Sequence, residues 1–62
     1  MDIDVKYMHH AKRDAILRAK RQGVRVWRIA RDLGLPVRVV VGVLIRAGWP
    51  AWVVARPEEV GT

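Results

Sequence analysis

The chain has 62 residues, enough for one domain, and no cysteine, so disulfides and thiolate metal sites are excluded. A domain of this size buries only about 60% of the surface its unfolded chain exposes, so stability must come from close packing of a few elements or from self-association. Twelve Lys and Arg against six Asp and Glu give a net charge of +6, and nine of those cations are arginine, whose planar fork holds phosphate in two places at once: the composition points to a polyanionic partner, nucleic acid first.

Residues 1 to 20 carry charge throughout and lack the apolar stretch of a secretion signal. The longest apolar run, Val39 to Ile45, is too short to cross a bilayer. A soluble, cytoplasmic protein without a membrane partner is expected. Met1 to Asp4 read as a frayed end. From about residue 5 to 21 the pattern is helical, with Met8, Ala15, Ile16 and Ala19 near one face. Lys6, Arg13 and Lys20 recur every seventh residue on another face, and Gly23 ends the helix. A second helix is expected over 26–33, with Val26, Ile29, Ala30 and Leu33 as its buried stripe and Trp27, Arg28 and Arg31 pointing elsewhere. Gly34 stops it, because glycine alone takes the left-handed backbone of a helix C-terminus without strain.

Pro36 opens a third expected helix, 36–47, since a first-turn residue has no use for an N–H donor. Gly48 and Trp49-Pro50 close it. The valines between them (Val37, Val39, Val40, Val41 and Val43) have strand propensity, and strand stays open as an alternative. The proline start, the glycine stop and the length favour helix. Ala51 to Ala55 reads as a short strand or extended arm, and Arg56 to Val60 as a helix start with too little chain to continue. The expected fold is therefore a small all-α domain of three helices with a short extended C-terminal tail.

The stretch Val26 to Ile45 resembles the helix-turn-helix signature of DNA-binding proteins. Ala30 stands where that signature has a small residue, Gly34 where it has the glycine of the turn, and Ile29, Leu33, Leu35, Val40 and Val43 where it has apolar ones. The geometry behind the signature is a steep crossing of two helices joined by a short turn. Arg13 to Val24, together with Ile29-Ala30-Arg31-Asp32-Leu33-Gly34-Leu35-Pro36, is similar to the trihelical modules of resolvases, transposases and phage regulators. The resemblance implies that the third helix meets DNA, through Val37, Arg38, Val41, Gly42 and Ile45. Only Arg38, and Arg46 near the end, are polar, so phosphate-led binding is expected more than base reading. From Lys12 to Arg31, eight cations face Asp14 and Asp32. The expected contacts are Lys20, Arg21, Arg25, Arg28, Arg31, Arg38 and Arg46, in a regulator of transcription. The alternative is a protein-binding adaptor or homodimer that uses Val37, Val41 and Ile45, spaced four apart, as an apolar ridge.

A second resemblance runs from Val24 to about residue 60. Val24 to Leu35, then Leu44-Ile45-Arg46-Ala47-Gly48-Trp49, are similar to the small N-terminal domain of bacterial translation initiation factor 2. It implies a short strand before the second helix, an extended piece at Trp52-Val53-Val54, and RNA or the ribosome as partner. It leaves the basic first helix unexplained.

Smaller features have plain readings. His9 and His10 are adjacent and project about 100° apart on a helix, which suits a surface pair and no metal. Trp49 and Trp52 read as core, while Trp27 stands between core packing and base stacking. Asp14 and Arg18 read as a surface pair one turn apart. The six carboxylates are scattered, and Thr62 is the only hydroxyl of the serine–threonine class, so no enzyme and no cofactor is expected.

Overall fold

The computed structural model describes the backbone of residues 2–61 and the side chains of residues 12–61, and every element among them is helical. The elements are α1 (Asp2–Arg21), α2 (Val26–Leu33), α3 (Val37–Arg46), α4 (Ala51–Val54) and α5 (Pro57–Val60). The three expected helices are present. Pro36 and Ala47 flank α3 as caps instead of belonging to it, and Asp2 to Asp4 are already helical.

The valine run folds as helix because of where its residues fall. At helical spacing Val40 and Leu44 reach full burial, with Val37 and Val41 packed on the core beside them. A strand would have put Arg38 and Gly42 on one face with Val40 and Leu44, splitting that apolar set. Burial of one face thus outweighs the intrinsic preference of valine, which amounts to a few tenths of a kcal/mol per residue. The core unites Ile16 of α1, Val26, Ile29 and Ala30 of α2, Val40 and Leu44 of α3, and Val54 of α4.

Three corners follow one hydrogen-bonding pattern. The N–H of Val24 donates to the Ala19 carbonyl (3.1 Å), that of Leu35 to Ala30 (2.9 Å) and that of Trp49 to Leu44 (2.9 Å). Each bond reaches back five residues, closes the last turn, and tucks its apolar donor residue against the core. At the α2–α3 corner the hinge is Gly34 at φ 66°.

The tail is not extended. α3 ends before Pro50, at the Ala47 cap and the left-handed Gly48, and Pro50, at φ −65° and ψ 138°, stands as the residue that starts α4, as Pro36 does for α3. Trp52-Val53-Val54 is therefore a helical turn, with Val54 fully buried. Pro57 then occupies the first turn of α5, which Gly61 terminates. No strand precedes α2 among the described residues. Trp49 packs on the core, whereas Trp52 is 73% exposed, because Val53 and Val54 take the inward side of α4.

Candidate nucleic-acid interface

All nine arginines fall in the described region, and every one is exposed. The one buried cation among the described residues is Lys20, 7% exposed. Its ammonium pairs with the Glu59 carboxylate, lies 3.4 Å from the Val24 carbonyl oxygen and sits 5.8 Å from the centre of the Trp49 ring. Glu59 also accepts the Val26 N–H at 3.3 Å. It thereby serves the first turn of α2, where Arg25 supplies no side-chain cap. Lys20 does lie on the same side of α1 as Arg13, but α5 covers that end of the helix. It is structural, and the expectation that it contacts nucleic acid is corrected.

The remaining expected contacts are on the surface. Arg21 ends α1, Arg25 precedes α2, and Arg28 and Arg31 stand on the outer side of α2. Arg28 lies 3.8 Å and Arg31 4.0 Å from the carboxylate of Asp32, so one acid is shared between two cations. All three side chains are more than half exposed, and such pairs contribute little to stability and yield readily to another anion. Arg21, Arg25, Arg38 and Arg46 form no ion pair among the described residues. Arg38 and Arg46 open and close α3 on its outer side, about 12 Å apart along the axis at 1.5 Å per residue. Between them lie Val39 and Gly42, and a Cβ built at Gly42 meets nothing within 4 Å.

The apolar ridge expected on α3 is not formed as a ridge. Val37 and Val41 are half-buried and pack against the core; Ile45 alone of the three is exposed, at 42%. The reason is angular: Val37 and Val41 flank the Val40–Leu44 line, while Ile45 turns toward Arg38. Asp14 and Arg18 border one shallow surface groove without forming an ion pair. The side chains of His9 and His10 lie outside the described residues, as do those of Lys6 and Met8.

Sequence reasoning passed over one grouping. Gln22, Gly23, Val24, Arg25, Trp27 and Arg28 line a groove of about 380 Å³ where α1 turns into α2. Only the closeness of these six positions in the chain hinted at it. A second groove, lined by Ala15, Ala19, Val24, Ile29 and Leu33 with Arg28 and Asp32 at its edge, runs between α1 and α2. Among the described residues no helix is long and apolar enough to cross a membrane. Comparison with protein-family models, with curated proteins and with solved structures finds no match to the chain.

Proposed function

We propose that this chain is a small helix-turn-helix protein that binds DNA chiefly through its phosphates and acts, without catalysis, as a regulator of transcription. The observation that carries this reading is the separation of cations by role: the single buried one among the described residues is a lysine held by Glu59, and all nine arginines face outward. A folded domain has no internal need for nine exposed guanidinium groups, and a net charge of +6 acts against compactness in the absence of a polyanion. The α2–turn–α3 unit, joined by Gly34-Leu35-Pro36, supports the same reading, with Arg38 and Arg46 at the two ends of the outward face of α3. Their separation is close to the roughly 12 Å width of a DNA major groove, so one α3 is long enough to reach both of its phosphate walls. The outward positions between them (Val39, Gly42, Ile45) offer no hydrogen-bonding side chains, which favours weakly specific binding.

The test is a salt titration of binding to a random-sequence duplex. The affinity is expected to fall linearly in log salt, and replacing Arg28 and Arg31 together by Ala is expected to flatten that slope by about 0.9 for each phosphate no longer neutralised. An unchanged slope, or no binding at low salt, would sink the assignment.

A further inference from the structure

Trp27 is, with Trp52, one of the two exposed aromatic side chains among the described residues. The buried stripe of α2 is Val26, Ile29 and Ala30, and Trp27 lies off it, beside Arg28 and Arg31, with 36% of its surface exposed. It is nevertheless held in place. The guanidinium of Arg31 sits 5.8 Å from the centre of its ring. Gly61 abuts the base of the side chain so closely that a Cβ there would come within 3.2 Å of the Trp27 Cβ. A large planar ring fixed at the surface loses little freedom when something stacks on it.

Trp27 is among the residues that line the groove at the α1–α2 turn. The other lining groups have complementary chemistry. Val24 adds an apolar wall, Arg25 and Arg28 bring two cations, and the Gln22 amide offers both a donor and an acceptor. The volume of about 380 Å³ falls in the range of roughly 300–1,000 Å³ usual for small-molecule sites. An aromatic face beside two cations and an amide matches a base, its phosphate and its hydrogen-bonding edge. A paired base in a duplex has both faces covered by its neighbours, so only an unpaired one is free to stack on a protein ring.

We propose that this groove binds one unpaired nucleotide, its base stacked on Trp27 and its flanking phosphates held by Arg25 and Arg28, so that the protein prefers single-stranded segments or junctions to uninterrupted duplex. The proposal rests on the nucleic-acid reading above and adds to it the strandedness of the ligand. DNA and RNA single strands share the base and phosphate that the groove takes.

The experiment compares binding of an oligo(dT) strand, an oligo(U) strand and a mixed-sequence duplex of equal length to the unmodified chain, Trp27→Leu and Trp27→Phe. The unmodified chain is expected to favour one or both single strands over the duplex. Trp27→Leu, which keeps apolar bulk without a stacking face, is expected to weaken single-strand binding roughly five- to a hundredfold and to leave duplex binding within about twofold. Trp27→Phe is expected to retain most of the affinity. Equal losses on both forms, or none on either, overturn the groove while leaving the duplex reading intact; no binding of any nucleic acid by the unmodified chain overturns that reading as well. Should Trp27→Leu lose its helical circular dichroism, photocrosslinking of a bromodeoxyuridine strand to the unmodified chain decides the matter. A crosslink at Trp27 supports the proposal, and a crosslink confined to Trp52, the more exposed ring, overturns it.

Discussion

The corner between α2 and α3 and the seam between α5 and α1 hold the same small frame by different physics. The corner is made of backbone: Gly34 turns left-handed, and the Leu35 N–H closes on the Ala30 carbonyl five residues back. The seam is made of charge: the buried Lys20 and the half-buried Glu59, 39 residues apart, pair and engage the Val24 carbonyl and the Val26 N–H as well. A corner of the first kind rests on the glycine, the apolar donor residue and backbone groups that are common to most residues. A seam of the second kind depends on both partners at once, because a lone buried charge costs far more than the pair contributes.

The largest expected effect breaks the seam. Glu59→Ala strands the Lys20 ammonium and is expected to destabilise the domain by about 3–5 kcal/mol in urea titration, a large share of what so small a fold possesses. The double variant Lys20→Met/Glu59→Leu is expected to recover most of that loss. A single-variant cost below that of the corner glycine would remove the contrast. Gly34→Ala comes next. A Cβ at φ 66° costs roughly 1–2 kcal/mol even though the space around it is open. The smallest effect has the opposite sign. Gly42 lies inside α3 with ordinary helical backbone and open space outside, so Gly42→Ala is expected to stabilise the fold by up to about 1 kcal/mol. If thermal melting instead shows Gly42→Ala as damaging as Gly34→Ala, backbone conformation does not separate the two glycines.

The same contrast explains what was legible in the sequence. Corners close within six residues, so Gly34 announced the end of α2, and Gly48 with Trp49-Pro50 that of α3. The proline start, the glycine stop and the length placed α3 despite its valines, whereas the inward set Val37, Val40, Val41 and Leu44 emerges only from the packing. Lys20 was misassigned because its partner is distant: in the sequence it stands in a basic stripe with Arg13, and Glu59 stands beside Glu58 like any surface acid. The tail was misread for a related reason. Pro50 reads as a stop when seen from α3, whereas it opens α4, the short turn that buries Val54. Arg21, Arg25, Arg28, Arg31, Arg38 and Arg46 were legible as surface cations from charge alone. The Trp27 groove needed the turn of α1 into α2, and Gly61 behind the ring, to become visible.

The 39-residue reach of the seam has a kinetic meaning. Contacts that span few residues avoid the cost of closing a long loop, so the corners are expected to be made early in folding and the Lys20–Glu59 pair late. An interaction absent from the transition state leaves the rate of folding alone and sets the rate of unfolding. Glu59 is thus expected to act as a clasp on the lifetime of the folded chain: Glu59→Ala should speed unfolding in a denaturant jump and leave the refolding rate nearly unchanged.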